Sequence, residues 1–441
     1  MLRTRIALVG LLVMVVAAAA GGSASARDGE RARGHELVGY YIQWGIYGRG
    51  YTVKQVETSG SADRLSVINY AFANVAPDAN GDVVCQSGDP WADYGVTWDA
   101  TTSVDGVPVV WGEPLRGNFQ QLRALKAMHP GLKVLLSLGG WTWSRYFSDA
   151  ALTAETRRRL VASCIDVFLA GNLPPANDAG GPGAAAGVFD GFDLDWEWPG
   201  SEGNVGNHIR PEDKQNVTKL LAEFRRQLDD HGRTTGRTYL LTAVLPAARA
   251  KIDAGFEVAK IFRSLDFATV QGYDLHGAWE PVTNHQSNLF SSPLDPSTPR
   301  FSVLDTMVAY LARGAPARKL VAGVPFYSRG WAGVGSANDG LYQPATGAAP
   351  GTWEAGAEDY EVVQGLLGAG YVRHDDLRAG ASWLYNPATG IFWTFDDPRV
   401  LAAKALLARA TGLGGIMFWE LSGDTPDGEL VRALSRGLGG D

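Results

Sequence analysis

The sequence has little of several features that mark other classes of protein. Only two of its 441 residues are cysteines, Cys85 and Cys164, and 39 basic side chains are outnumbered by 47 acidic ones. Its long apolar run, residues 6–20, has fifteen residues, fewer than the ~20 that a membrane-spanning helix needs. No internal repeat is evident. The acidic balance argues against nucleic acid or an anionic membrane as a partner.

The amino-terminal segment has the pattern of a secretory signal peptide. Arg3 and Arg5 precede the apolar run and Ala24-Ser25-Ala26 follows it, so we expect residues 1–26 to be removed before Arg27. No cysteine lies near this point, which argues against a lipid anchor. Residues 27–36 are charged and are interpreted as a solvated lead-in. We therefore expect a secreted, extracellular protein without a membrane anchor, acting as a monomer.

The mature chain would be long enough for a large core. Removing residues 1–26 takes away two arginines, leaving 415 residues with 37 basic and 47 acidic side chains, a formal charge of −10. That length allows one large domain with an insertion, or two domains. Export makes a disulfide between Cys85 and Cys164 permissible, but a free, buried Cys164 on a helix is equally consistent with the sequence.

Short apolar or β-branched runs alternate with helical patterns along the chain. Helical periodicity covers 119–128, 154–169, 211–228, 303–311 and 400–410. Eight β-then-α units predict a (β/α)₈ barrel over residues 37–326 and 397–441, with its active site where the carboxyl ends of the strands meet their following loops. The eight predicted strands are Leu37–Ile42, Leu65–Phe72, Val134–Leu138, Gly191–Trp196, Tyr239–Leu245, Ala268–Tyr273, Leu320–Phe326 and Gly415–Trp419.

One connection is too long for a plain barrel. Residues 327–396 are rich in Gly, Ala, Trp and Tyr and contain strand-like pieces at Ser382–Tyr385 and Ile391–Phe395. A structureless loop of that length inside a compact domain is uncommon. We interpret the segment as a small α+β insertion subdomain after the seventh strand, at the catalytic face.

The segment 189–199 concentrates acidic residues within an otherwise apolar strand. Because side chains alternate faces along a strand, Asp193, Asp195 and Glu197 would share one face, with Phe192, Leu194, Trp196 and Trp198 on the other. A solvated edge strand fits poorly with so bulky an opposite face, and a calcium loop would need a Gly and a Glu at positions where the chain lacks them. Crowded, buried carboxyl groups have raised pKa values, as a general acid requires.

Tryptophan is abundant, with 14 residues. Several lie in Gly-, Asp- or Ser-rich stretches where packing alone does not require them, for example Trp91, Trp98, Trp111, Trp141, Trp143 and Trp279. Exposed indoles in a secreted protein commonly stack on sugar faces. These positions are therefore candidates for carbohydrate contact.

The acidic strand resembles the D-x-x-D-x-D-x-E signature of glycoside hydrolase family 18, the chitinases and their relatives. Three further motifs occur in that family's order: Ser137-Leu-Gly139-Gly140, Gln271-Gly-Tyr273-Asp274 and Gly415-Ile-Met417-Phe-Trp419-Glu420. The resemblance covers residues 37–436, and the insertion after strand seven is similar to that of exported bacterial chitinases. It implies a (β/α)₈ barrel that binds chitin and chito-oligosaccharides and uses neither a cofactor nor a metal.

The resemblance also implies a role for each candidate residue. Glu197 would be the general acid and base, Asp195 would orient the substrate's acetamido group, and Asp193 would share a proton with Asp195. Tyr273 and Asp274 would grip the same acetamido group. Substrate-binding positions would be Trp419, Tyr41, Phe72, Trp141, Trp279, Tyr327 and Arg329, and supporting positions Asp190, Ser137, Gly139 and Gly140.

Gln271 departs from the family pattern, in which many members have Met at this position, and it would need a hydrogen-bond partner inside a barrel. His276 is interpreted as a support for the site rather than as its base. Two other functions are open to this motif set: a lectin that keeps the cleft without catalysis, and an endo-β-N-acetylglucosaminidase acting on N-glycans. The complete acidic set argues against the first function, and the segment 327–396 argues against the second.

Overall fold

The computed structural model describes residues 34–440. The predicted signal peptide over residues 1–26, and the lead-in as far as residue 33, lie outside the described residues.

Eight parallel strands form the main sheet. They are β1 (Glu36–Ile42), β2 (Val67–Pro77), β3 (Lys133–Gly139), β4 (Gly191–Asp195), β5 (Leu240–Leu245), β6 (Phe267–Val270), β7 (Leu320–Pro325) and β8 (Gly415–Trp419). Each pairs with its neighbour in the order β1-β8-β7-β6-β5-β4-β3-β2, and β1 also pairs with β2, so the sheet closes on itself. This confirms the predicted (β/α)₈ barrel.

Helices cover the outside of the barrel. Their starts follow local capping: the Asp397 side chain accepts hydrogen bonds from the first amides of a helix that has Pro398 at its first position, and Ser302 accepts one from Asp305. No helix among residues 34–440 is both long and apolar enough to cross a membrane. The α-helices of six or more residues are Val53–Thr58, Gly117–Met128, Ala154–Cys164, Asp213–Thr235, Arg249–Gly255, Val303–Ala312, Tyr360–Gly365, Pro398–Ala410 and Glu429–Leu438.

Two strand ends differ from the sequence prediction by three residues or more. β2 continues to Pro77 and returns as an antiparallel strand, Val83–Ser87, through the turn at 78–82, a hairpin that the prediction missed. β6 ends at Val270, three residues before the predicted end at Tyr273. Gln271 and Tyr273 therefore lie on the loop at the barrel mouth rather than inside the sheet.

Residues 327–395 form a second, antiparallel sheet. Its six strands are Tyr327–Ala332, Gly347–Ala348, Ala357–Asp359, Val372–Asp376, Ala381–Asn386 and Ile391–Phe395. Trp331, Trp383 and Phe392 pack together on one side of it. Hydrogen bonds tie this sheet to the loop that follows β6: Trp331 Nε1 donates to the Glu280 carbonyl at 3.0 Å, and the Thr283 amide donates to the Gln343 carbonyl at 2.9 Å.

The apolar core has two parts, one inside the barrel and one between the barrel and the helices. The inner part includes Val38, Val67, Leu135, Leu240, Val321 and Met417. The outer part is larger and includes residues such as Phe119, Phe189, Phe192 and Phe224. Strand residues therefore alternate between two buried environments, as both faces of a barrel strand require.

Cys85 and Cys164 form a disulfide, which settles the choice that the sequence left open. It joins the strand Val83–Ser87 to the end of the helix Ala154–Cys164. The Cys85 amide also donates to Ser163 Oγ at 2.9 Å. The disulfide thus fastens the hairpin after β2 to the helix that follows β3.

Replacing both cysteines with alanine should destabilise the fold. The two cysteines are 79 positions apart in sequence. A cross-link that closes a loop of that size lowers the conformational entropy of the unfolded state, which stabilises the folded state by on the order of 4 kcal/mol. We expect a lower urea midpoint in tryptophan fluorescence. Reductant should lower the urea midpoint of the wild type towards that of the variant and leave the midpoint of the variant unchanged. Equal midpoints for the two proteins in the absence of reductant would contradict this.

Candidate active site

The acidic segment begins inside the barrel and ends at its mouth. Asp193 and Asp195 belong to β4, Glu197 follows it, and all three are almost completely buried. Phe192, Leu194 and Trp196 belong to the outer core, as the alternation predicts.

The prediction that Trp198 faces outwards is wrong. It packs with the inner cluster, which includes Tyr40, Phe72 and Tyr273. β4 ends at Asp195, so strict alternation no longer applies three residues later.

Asp193 is held deep in the barrel by three hydroxyl donors. Tyr40 from β1, Ser137 from β3 and Thr242 from β5 donate to its carboxylate at 2.6, 2.8 and 2.6 Å. Burial raises the pKa of Asp193, and these three hydrogen bonds oppose the rise because they favour the charged form. Ser137 therefore acts on a carboxylate directly, in addition to any role in close backbone packing.

Asp195 lacks comparable support. Its Oδ1 atom is buried and has no hydrogen-bond partner among the described residues. Burial raises the pKa of Asp195 well above its ordinary value, and the charges of Glu197 and then Asp193 raise it further. This carboxyl can accept a hydrogen bond from a bound molecule, since it lines the cleft.

Glu197 is poised to exchange a proton near neutral pH. Burial raises its pKa to about 7, the charge of Asp274 adds to the rise, and Gln271 and Lys251 oppose it. Gln271 Nε2 donates to Glu197 Oε2 at 3.3 Å, which is the partner that a polar residue at this position requires. A carboxyl with this pKa can act as acid and as base in the same reaction.

Asp274 anchors a polar cluster on one wall of the cleft. Tyr327 donates to it at 2.7 Å, and Arg329 donates through Nε and Nη2 at 2.7 and 3.0 Å. Tyr273 next to it is buried, and its ring centroid lies 6.1 Å from that of Tyr327. His276 pairs with Glu280 at 2.7 Å and is absent from the residues that line the cleft, consistent with a supporting position.

The cleft has a volume of about 1260 Å³ and brings together most of the candidate residues. Trp141 and Trp279 are 50% and 58% exposed, so part of each indole is open to a ligand, and the Arg329 guanidinium lies over the Trp279 ring at 5.2 Å. Trp419 stacks against Phe72 with ring centroids 5.7 Å apart. The candidates that line the cleft are Asp195, Glu197, Tyr273, Asp274, Trp419, Phe72, Trp141, Trp279, Tyr327 and Arg329.

The structure contradicts the assignment of Tyr41 to substrate binding. Tyr41 is fully buried on the outer side of the barrel, where its hydroxyl donates to Asn118 Oδ1 at 3.2 Å. Tyr40 lines the cleft instead and contacts Asp193. Two adjacent tyrosines on one strand point in opposite directions, and only the strand's placement in the barrel decides which one points inwards. Trp98 is also buried rather than exposed.

The supporting candidates hold the acidic strand. Asp190 lies at the opposite end of β4, where Lys126 and Arg237 pair with it at 2.7 and 2.8 Å, so it is a structural residue outside the cleft. Gly139 and Gly140 have φ angles of 97° and 68°. A Cβ on Gly139 would lie 2.7 Å from the Asp195 carbonyl, and one on Gly140 would lie 2.6 Å from the Phe72 ring. Neither position accepts a side chain.

Several cleft residues escaped the sequence reasoning. Tyr40 lies on β1 and Lys251 on the helix Arg249–Gly255, and the others come from connecting segments whose course the sequence pattern does not reveal: Gln43, Trp44, Arg49, Trp353 and Glu420. Trp353 could have been found, because it lies in a Gly-rich stretch like the other exposed tryptophans. Among the described residues, no group of three or more His, Cys, Asp or Glu side chains could hold a metal ion.

The chain is similar to curated proteins over most of its length. It is 38% identical to chitinase A1 of Niallia circulans over 90% of this chain and 57% of that protein. It is also 38% identical to chitinase C of Streptomyces lividans, over 90% of this chain and 59% of that protein. The chain thus spans somewhat less than three fifths of the length of these two curated relatives.

The fold is also similar to solved structures. The catalytic domain of psychrophilic chitinase B from Arthrobacter TAD20 superposes with a TM-score of 0.87 at 44% identity, covering 92% of this chain and 95% of that one. The model of the glycosyl hydrolases family 18 matches residues 36–424, which include every strand of the barrel and all of the acidic segment. The chain belongs to glycosyl hydrolase family 18.

Proposed function

We propose that the protein is a secreted chitinase that hydrolyses β-1,4 linkages between N-acetylglucosamine units with retention of configuration. The observation that carries this proposal is the pair of buried carboxyls: Glu197 with its pKa raised to about 7, and Asp195 with an unpartnered oxygen, at the floor of an aromatic cleft. The names of the relatives support the substrate, and the amino-terminal pattern supports secretion.

In the first step, Glu197 donates its proton to the glycosidic oxygen as the bond from that oxygen to the anomeric carbon breaks. The acetamido oxygen of the same sugar attacks the anomeric carbon from the opposite face and forms an oxazolinium ion. The substrate supplies the nucleophile, so the usual second carboxylate is not needed, as is known for this family.

In the second step, the ionised Glu197 takes a proton from a water molecule, and the oxygen of that water forms a bond to the anomeric carbon. The bond to the acetamido oxygen breaks and restores the N-acetyl group. Two inversions at one carbon give net retention, and Glu197 regains its proton for the next cycle.

Asp195 is suited to hold the acetamido group during both steps. Its carboxyl lines the cleft, where it can accept the acetamido N–H and stabilise the positive charge that develops on that group. Asp193, fixed by three hydroxyls, would share a proton with Asp195 because two neighbouring buried carboxyls do not both ionise readily.

The walls of the cleft fit a chain of flat, apolar-faced sugars. We assign Tyr273 and Asp274 to the acetamido group and Trp419 to the face of the distorted sugar. Trp141 and Trp279 offer open indole faces for the neighbouring units. Comparing hydrolysis of colloidal chitin with that of a high-mannose glycoprotein would distinguish a chitinase from an endo-β-N-acetylglucosaminidase, and a lectin would cleave neither.

Glu197→Gln should abolish hydrolysis and preserve chito-oligosaccharide binding, because it removes the transferable proton with little change in volume. We expect kcat, measured by reducing-end release, to fall by ~10²–10⁴-fold or more. Binding of the oligosaccharide, followed by tryptophan fluorescence, should be retained. Glu361→Gln, at an exposed helix position, is the matched control and should keep full activity. Near-normal turnover in Glu197→Gln would remove Glu197 from this role.

The pH dependence of kcat/KM should report the pair of carboxyls. The acid form of Glu197 starts the reaction, so activity should fall as pH rises through about 7. Asp195→Asn removes a neighbouring negative charge, which makes ionisation of Glu197 easier and shifts this alkaline limb to lower pH. The rate should also fall by on the order of 10²-fold, since the acetamido group loses its orientation. An unchanged profile with a normal rate would make Asp195 structural only.

If the acetamido group is the nucleophile, its removal should stop the reaction. We expect no cleavage of fully deacetylated chitosan or of cellulose, and competitive inhibition by a thiazoline analogue of the N-acetylglucosamine disaccharide. Early proton NMR spectra of chito-hexaose hydrolysis should show the β-anomer first. Release of the α-anomer, or rapid cleavage of the deacetylated polymer, would overturn substrate assistance.

A further inference from the structure

Ser144 is a fully buried hydroxyl that contacts the backbone around the acidic segment. It follows the short helix Gly140–Trp143 at the end of β3. Its Oγ accepts the Glu197 amide hydrogen at 2.8 Å, and its one hydroxyl hydrogen is shared between the Gly140 carbonyl at 2.8 Å and the Asp195 carbonyl at 3.2 Å. One side chain on the loop after β3 therefore links the backbone positions of Asp195 and Glu197.

Asn207 holds the other end of the Glu197 residue. Its Nδ2 donates to the Glu197 carbonyl at 2.8 Å. The loop after β4 approaches this carbonyl so closely that a Cβ on Gly203 would lie 2.1 Å from its oxygen. The amide and the carbonyl of Glu197 are thus bound by two side chains from two different loops.

Those two loops are fastened to each other. The His208 amide donates to the Arg145 carbonyl at 3.0 Å. Asp149, on the loop after β3, pairs with His208 at 2.5 Å and with Arg210 at 2.7 Å. Ser144 and Asn207 therefore belong to one cross-linked frame around the barrel mouth.

This frame matters because the sheet stops short of Glu197. The ladder between β3 and β4 ends with the pair of Gly139 and Asp195, so sheet hydrogen bonds fix Asp195 and do not extend to Glu197. The Glu197 carboxyl is also carried on a flexible side chain. A rotation of the Glu197 backbone would move the carboxyl by more than the distance over which a proton transfers.

We propose that Ser144 and Asn207 are positioning residues, which hold the backbone of Glu197 so that its carboxyl meets the glycosidic oxygen. This inference rests on the proposed role of Glu197 as general acid. Neither residue is assigned a contact with substrate. Misplacement of a catalytic group by about 1 Å costs on the order of 10²-fold in rate, which sets the expected scale of the effect.

The test compares two substrates that differ in their need for an acid. Chito-tetraose has a poor leaving group that must be protonated, whereas the 2,4-dinitrophenyl glycoside of chitobiose has a leaving group that departs with little help. The measured quantity is kcat/KM, which reports the steps up to the first bond cleavage. In Ser144→Ala and Asn207→Ala we expect a loss of about 10- to 100-fold on chito-tetraose and less than about 3-fold on the aryl glycoside.

Two variants on the same loops serve as controls. Ser148 is another fully buried serine, but its hydroxyl donates to Asp213 at 2.6 Å and accepts from Arg210 rather than from Glu197. Asn204 lies three residues before Asn207, and its side chain accepts only a local amide, that of Val205. Ser148→Ala and Asn204→Ala should leave the ratio between the two substrates unchanged, even where thermal stability falls.

Each outcome decides a specific statement. Glu197→Gln should show the largest dependence on the leaving group, and a uniform loss in that variant would overturn the proposed function and this inference with it. If the activity of Glu197→Gln depends strongly on the leaving group, but Ser144→Ala and Asn207→Ala lose activity equally on both substrates, the positioning role alone is overturned. Asn207 is only partly buried, so Asn207→Ala tests the inference even if Ser144→Ala fails to fold.

Discussion

The burial of acidic side chains at the C-terminal end of β4 determines how the rest of the site is arranged. An ionised carboxyl away from water carries a desolvation penalty of several kcal/mol unless hydrogen bonds or opposite charges offset it. The barrel offsets this for Asp193 with three hydroxyl donors and leaves Asp195 with an unpartnered oxygen. Glu197, at the mouth, receives one weak hydrogen bond from Gln271. The hydrogen bonds to Asp193 stabilise its charge inside the barrel, whereas Asp195 and Glu197 line the cleft and are available for chemistry.

The closure of the barrel produces this difference in hydrogen bonding between the carboxyl groups. Strands β1, β3 and β5 each direct one hydroxyl to the same point in the interior, so Asp193 is satisfied by residues far apart in sequence. Beyond that point, towards the barrel mouth, the strands end and the site is formed by loops. The loops after β3 and β4 hold Glu197, and the second sheet contributes Tyr327 and Arg329 to the opposite wall. Rigid strands position the segment, and the loops form the cleft around it.

Much of this arrangement was accessible from the sequence, for identifiable reasons. Periodicity found all eight strands, and the spacing of the acidic residues correctly placed Asp193 and Asp195 on one face of the fourth strand. The alternation of side chains failed for Trp198, because the strand ends before this residue. Alternation also gave no means of deciding whether Tyr40 or Tyr41 faces the cleft. Periodicity carries no information about which of two buried faces a strand residue occupies. The hairpin at 78–82 was missed because its second strand, Val83–Ser87, belongs to none of the eight predicted β-then-α units.

The sequence by itself determined the barrel, the position of the acidic segment at the end of its fourth strand, and the three carboxyl groups on which the proposed chemistry depends. These follow from local patterns of hydrophobicity and charge, which depend on near neighbours. Only the tertiary structure decided that Cys85 bonds to Cys164, that Gln271 contacts Glu197, and that Ser144 and Asn207 bind the Glu197 backbone. The first two contacts and that of Ser144 join residues from separate βα units, and Asn207 reaches Glu197 across the loop after β4. Their distances depend on how the barrel closes and on the paths of its loops, which no local pattern specifies.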